Sequence, residues 1–210
     1  MELGKAVGVL ASVSKMPSPG PSPIFSQLHI CLALLTIGDA SPLGRIELSR
    51  KLGVGEGATR TIIKRLSQAR LIETGKAGCA LTNRGRPIYN VLRGKLSEIK
   101  VVKAGQLALD KMSVAVLVRG GARHVRGGIE QRDAAIRAGA TGACTLVVVK
   151  GKYLMPTAGR KEAINSDDVL VHDLERLFNP MDGDAVIIVS APDRRSSEQG
   201  AVAGALQLLR

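Results

Sequence analysis

Residues 48–74 read LSRKLGVGEGATRTIIKRLSQARLIET. Leu48 and Leu52 close a short helix over 43–52, whose apolar positions are Leu43, Ile46, Leu48 and Leu52, and Gly53 stops it. Val54-Gly55-Glu56-Gly57 is a turn. A second helix is predicted over 58–70, with Thr59, Ile62, Ile63, Leu66 and Ala69 along one side. Arg60, Thr61, Lys64, Arg65 and Gln68 fall on the other side. Such a segment has an apolar flank to lay on neighbouring helices and a cationic flank left over.

The elements around it are set by the same periodicities. Upstream, residues 26–37 place Leu28, Leu32 and Leu35, with Ile30, Ala33, Leu34 and Ile37, at helical spacing on a broad face, ended by Gly38-Asp39. Before that, Pro17-Ser18-Pro19-Gly20-Pro21-Ser22-Pro23 is a stiff linker in which no ladder can form. The mildly apolar opening, residues 3–13, is a short helix or strand packed on the first domain; Glu2 and the short apolar run argue against a signal peptide. Downstream, runs 71–74 and 79–82 flank Gly75-Lys76-Ala77-Gly78 and predict a β-hairpin with a lysine at its tip. Thr82 caps a further helix carrying Ile88, Val91, Leu92 and Leu96, with Pro87 tolerated in its first turns.

Charge is unevenly placed. Up to Lys103 there are 16 Lys/Arg against 6 Asp/Glu; from Ala104 onward there are 14 against 12. The whole chain carries a formal net charge of +12, so the basic half points to a polyanionic partner. Helix, turn, helix and hairpin with this charge placement predict a winged helix-turn-helix over residues 24–97. Its 58–70 helix carries donors long enough to reach base edges and phosphates in the major groove, namely Arg60, Thr61, Lys64, Arg65 and Gln68. Gly55 and Gly57 open the helix start to a phosphate, and Lys76, Arg84 and Arg86 reach neighbouring phosphates. A homodimer is expected, because one module touches too few base pairs for genomic specificity.

The run from Leu48, with LTNRGRPI at 81–88, resembles winged-helix regulators of the MarR/Lrp-like type. Leu48, Leu52, Gly53, Ile63, Leu66, Leu71, Ile72, Leu81, Thr82, Gly85 and Arg86 carry the match. Two positions depart from that pattern. Gly55-Glu56-Gly57 stands where Ser or Thr caps are usual and brings a carboxylate near the DNA face; Arg70 stands where Gly is usual. The stretches 126–156 (RGGIEQRDAAIRAGATGACTLVVVKGKYLMP) and 198–209 (EQGAVAGALQLL) resemble an archaeal family of winged-helix proteins of this length, whose C-terminal domain has no assigned role. That resemblance supports a two-domain layout rather than an activity.

Residues 98–210 have a different texture. Strands are predicted at 99–102, 113–118, 145–149, 153–155 and 185–189, with Lys150-Gly151-Lys152 turning a hairpin. Helices are predicted at 129–138, at a segment capped by Ser166 or Asp167 and ended by Asn179-Pro180, and at 198–209 behind a Ser196/Gln199 capping box. The order suits a two-layer α+β domain with helices on one sheet face, ferredoxin-like or a related ββαββα arrangement. The overall expectation is thus α+β: an N-terminal segment at 1–23, the winged helix at 24–97, and an effector-binding or dimerisation domain at 98–210.

In that domain the loop Arg119-Gly120-Gly121-Ala122-Arg123-His124-Val125-Arg126-Gly127-Gly128 lies between a strand and a helix. Its glycines allow close backbone approach, and Arg119, Arg123, Arg126 and, one turn into the helix, Arg132 bring positive charge. Arg119, Gly121, Arg123, Arg126, Gly127, Gly128 and Arg132 are therefore candidates to hold a phosphate or carboxylate effector. It is neither a P-loop nor a dinucleotide fingerprint. The solvated-loop reading and a second contact to DNA phosphates stay open.

Other chemistry has less support. Glu130/Asp133, Asp167-Asp168 and Asp182/Asp184 are acid pairs, each with an ordinary use at a helix start or turn. His29, His124 and His172 are isolated, and His29 and Cys31 point to different helix faces, so no metal site is expected. Cys31, Cys79 and Cys144 are an odd, scattered set suited to a reducing cytoplasm. Aromatics make up 2% of residues, too few for base-stacking platforms. No apolar run approaches a membrane span. The sequence therefore predicts a duplex-DNA-binding transcriptional regulator, not an enzyme and without cofactor. The alternative is an enzyme that holds an anionic or phosphorylated small molecule in its C-terminal domain, fused to the DNA-binding part.

Overall fold

The computed structural model describes residues 1–15, 25–157, 160–165 and 168–209. The proline-rich stretch at 17–23 and the expected caps Ser166 and Asp167 lie outside the described residues. The chain is of mixed α+β class and divides into two compact units, residues 1–93 and 94–210.

The first unit is helical with one hairpin. α1 (Leu3–Ser14) buries Ala6, Leu10 and Val13 against α2 (Gln27–Asp39) and α4 (Glu56–Gln68). α2 is apolar nearly all round, and its Ile30, Cys31, Leu34 and Ile37 are fully buried, as a helix surrounded by others must be. α3 (Arg45–Leu52) ends at Gly53 in the left-handed region, φ 65°. Its predicted apolar position Ile46 faces solvent instead, while Leu43, just before the helix, exchanges backbone hydrogen bonds with Cys79.

α4 buries Thr59, Ile62 and Leu66, as the periodicity predicts, and ends in a Schellman arrangement. The Leu71 N–H donates to the Leu66 carbonyl and the Arg70 N–H to that of Ser67. Arg70 itself takes φ 58°, the conformation for which glycine is usual. β1 (Ile72–Gly75) and β2 (Gly78–Leu81) form the hairpin, with Ile72 opposite Leu81 and Gly75 opposite Gly78, so Lys76-Ala77 is the tip.

Thr82 Oγ1 accepts from the N–H groups of Arg84 and Gly85, starting α5 (Gly85–Lys95), and donates to the Arg70 carbonyl at 2.6 Å. α5 lies along the end of α2. The Tyr89 ring occupies the space a side chain at Gly38 would need, and Tyr89 and Arg93 both bond Asp39.

The second unit is one antiparallel sheet of six strands in the order β3-β4-β8-β5-β6-β7. The strands are β3 (Lys100–Val101), β4 (Met112–Val118), β5 (Gly142–Val149), β6 (Lys152–Thr157), β7 (Arg160–Ala163) and β8 (Ala185–Ala191). Its helices are α6 (Ile129–Arg137), α7 (Val169–Phe178) and α8 (Arg194–Leu206).

Here the two-layer, ferredoxin-like expectation needs correction. Ala115, Leu117, Leu146, Val148, Val186 and Ile188 face Leu170, Leu174 and Phe178 of α7. Their strand neighbours face the other way, where α6 and α8 pack on β4, β5 and β8. Both faces are covered. The central strands are correspondingly apolar at successive positions, and β8 is buried along its whole length. The central pair β8 and β5 is antiparallel, unlike the parallel central pair of a ferredoxin-like sheet. Glycine lets α8 approach closely: a Cβ at Gly200 would lie 2.8 Å from Val189 and 2.9 Å from Ala140.

Two caps also differ from expectation. Asp168 caps α7 through the Leu170 N–H, and Asp193, not Ser196, caps α8 through the Ser196 N–H. β7 has no counterpart among the strands expected from sequence.

Candidate nucleic-acid interface and anion cleft

In the first unit the outer flank of α4 carries Arg60, Lys64 and Gln68, all exposed, and half-buried Thr61, whose hydroxyl donates to the Gly57 carbonyl. Neither Arg60 nor Lys64 is in an ion pair with any described residue. Ideal Cβ positions at Gly55 and Gly57 meet nothing within 4 Å, so the start of α4 is open to solvent. Glu56, in that first turn, is the one carboxylate on α4.

A cleft of about 430 Å³ separates α4 from the hairpin and is lined by Arg45, Arg60, Ile63, Thr74, Lys76 and Cys79 among others. Arg84 and Arg86 are exposed beside the start of α5; Arg84 lines a second cleft with Arg70 and Glu73. Thus Arg60, Arg45 and Lys76 border one concave surface. Arg45 escapes a sequence reading that considers only the apolar face of α3.

Arg65 is the correction. It is expected on the outer flank, but it is only 3% exposed, its Nη1 donates to the Ser14 carbonyl at 2.6 Å, and its guanidinium stacks 4.9 Å from the centre of the Phe25 ring. Three residues after Ile62, it is only about 60° from that buried side chain around the helix. Its charge, not its position, suggests an outward role.

In the second unit the Arg/Gly loop divides. Arg119 is exposed; its carbonyl is met by Lys95 Nζ. Gly121 is buried, and a Cβ there would lie 2.9 Å from the Val118 carbonyl oxygen, so it serves the loop's packing. Arg132 turns to Asp133 at 3.1 Å and does not border the cleft formed by the rest. That cleft, about 170 Å³, is lined by Arg123, His124, Arg126, Glu130, Gln131 and Gln207. Gly127 and Gly128 lead into α6, with Gly128 as its N-cap at φ 76°.

Gln131 and Gln207 escape the sequence reading. The available signal is Gln131 itself, an uncharged polar residue three before Ala134 on the buried face of α6.

The acid pairs have structural uses. Buried Asp184 accepts from the N–H groups of Gly120 and Met181. Asp182 accepts from those of Lys150 and Gly151, each at 2.8 Å. Burial pushes the Cys31 thiol up to about 12 and raises those of Cys79 and Cys144, so none is an activated nucleophile. Among the described residues no group of three or more His, Cys, Asp and Glu side chains is placed to hold a metal ion, and no helix is long and apolar enough to cross a membrane.

Both units have counterparts. Residues 31–87 match the family model "PH0730-like, N-terminal domain", and residues 109–208 match "Domain of unknown function (DUF4443)". The solved structure described as hypothetical protein PH0730 from Pyrococcus horikoshii OT3 shares 27% identity and a TM-score of 0.62, covering 85% of this chain and 90% of that one. The chain is similar to archaeal PH0730 in both units. No curated protein matches it. The PH0730-like model ends at residue 87, within the first turn of α5, and the second model begins at 109, just before β4. The uncharacterised archaeal family that the sequence suggests is thereby supported, at a matching chain length.

Proposed function

We propose that the chain is a duplex-DNA-binding transcriptional regulator. Its first unit acts as a winged helix-turn-helix of the MarR/Lrp-like kind: α3 and α4 are the helix-turn-helix, α4 enters the major groove, and the β1–β2 hairpin is the wing over the adjacent backbone. The second unit senses a ligand or holds a homodimer together.

The observation that carries this reading is the outer flank of α4. Its exposed Arg60, Lys64 and Gln68 lie at helical spacing opposite the buried Ile62 and Leu66. Arg60 shares one cleft with Arg45 and with Lys76 of the hairpin tip. Cations on both banks of a cleft suit two rows of phosphates, and Gln68 and Thr61 add donors and acceptors for base edges.

The experiment is competition binding of the full chain between a random-sequence DNA duplex, an RNA duplex and a single strand, followed by selection of duplexes from a random pool. Preference for DNA duplex and enrichment of a defined sequence support the reading. Equal or stronger binding of RNA, or no enrichment, overturns it.

A further inference from the structure

The cleft beside α6 offers a combination of groups that the fold itself leaves unanswered. Gln131 is 1% exposed, and its Oε1 is buried without a hydrogen-bond partner among the described residues. A buried amide oxygen with nothing to accept is costly, and a position that keeps one has a reason to. Packing alone does not demand glutamine here: the neighbours on the same face are Ala134 and Ala135. Thr145 Oγ1, also buried and without a partner among the described residues, sits beneath Gly128, 3.6 Å from where a Cβ would be.

Around Gln131 the cleft is cationic. Arg123 and Arg126 line it, and neither is ion-paired with a described residue. Arg123 Nε donates to His124 Nε2 at 3.0 Å, and both side chains line the cleft. α6 starts here with no side-chain cap, because its N-cap is Gly128, and Glu130 is the acidic residue in its first turn. Glu130 is the one carboxylate on the rim and accepts only donors.

We propose that this cleft binds a small anion that also carries a hydroxyl or ammonium donor. The anionic group lies between Arg123 and Arg126 at the start of α6; the donor group bonds Gln131 Oε1, with Glu130 beside it. A space of about 170 Å³ suits a guest of roughly benzene size, such as a three-carbon phosphate or hydroxy acid, and not a nucleotide. The site lies wholly in the second unit and does not rest on the duplex-binding reading.

The test is titration calorimetry of the full chain with four probes: glycerol 3-phosphate, glycerate, inorganic phosphate and glycerol. Glycerol 3-phosphate or glycerate is expected to bind at least about fivefold tighter than inorganic phosphate, with glycerol silent. Which of the two binds more tightly assigns the anionic group as phosphate or carboxylate. The exposed Arg126→Ala change is expected to weaken both by about tenfold or more. Gln131→Leu is expected to erase the preference over inorganic phosphate while leaving phosphate binding within about twofold. Thermal melts of both variants confirm that they fold. No anion bound more tightly than about 10 mM overturns the proposal. So does anion binding indifferent to Arg126→Ala, or a preference that survives Gln131→Leu.

Discussion

Arg65 Nη1 donates to the Ser14 carbonyl oxygen across 2.6 Å, tying the end of α1 to the inner flank of α4. The same guanidinium lies over the Phe25 ring, so one side chain engages the chain on both sides of residues 16–24. Arg65→Ala removes a charge-assisted bond and a cation–π contact and leaves a carbonyl unanswered. We expect a loss of about 2–4 kcal/mol in urea denaturation. Arg65→Lys keeps the charge but not the planar fork, and recovers only part of it. A loss within about 0.5 kcal/mol for Arg65→Ala, the size of an ordinary surface change, contradicts the structural role.

Gly85 is required by a close approach. An added Cβ would sit 1.9 Å from the Leu71 carbonyl oxygen, which also accepts from the Thr82 N–H. Backbone on both sides has little room to yield. Gly85→Ala is expected to cost about 2–3 kcal/mol or more. Gly94→Ala, in the same helix but with nothing within 4 Å of its Cβ, is expected to be neutral or stabilising by up to about 1 kcal/mol. Chemical denaturation of the pair reads the contrast directly.

Arg70 runs the other way. It holds φ 58° at the end of α4 and is exposed, so its side chain contributes little packing. Arg70→Gly is expected to stabilise the first unit by about 1 kcal/mol, seen as a higher urea midpoint with an unchanged slope.

Gln131→Leu removes a buried, unanswered oxygen at nearly constant volume. We expect a gain of about 1 kcal/mol, read as a raised melting temperature in the absence of any added anion. A site that sacrifices stability for binding behaves in this way; a melting temperature lowered by the change contradicts an unpartnered oxygen.

Much of the first unit is legible in sequence because its signals are local. Periodic Leu and Ile, Gly53 at a helix end, Thr82 at a helix start and Gly75/Gly78 around a tip each act within a few residues. Arg70, which stands where the resembled pattern usually has Gly, takes φ 58° in the structure, a conformation the sequence reading does not draw from that departure. Arg65 is misplaced because a charged residue near the edge of an apolar stripe reads as outward-facing, and its partners lie far away in sequence, at Ser14 and Phe25.

In the second unit, strands and helices are legible but the layering is not. The apolar runs VAVLV in β4 and AVIIV in β8 lack the alternation of a half-exposed sheet, which is the sign that helices cover both faces. The Arg/Gly loop at 119–128 is visible from its composition. Which arginines share a cleft depends on long-range packing of α6 and α8, which brings in Gln131 and Gln207 and leaves Arg132 with Asp133.

The most direct test of duplex recognition by α4 is the salt dependence of DNA affinity for the wild-type chain beside Arg60→Ala and Lys64→Ala. Both residues are exposed, so both variants should melt as the wild type does. Weaker binding is predicted for each, with the slope of log affinity against log salt reduced by about one for every phosphate contact removed. Affinity and slope unchanged in both folded variants would contradict the role of α4 in recognition.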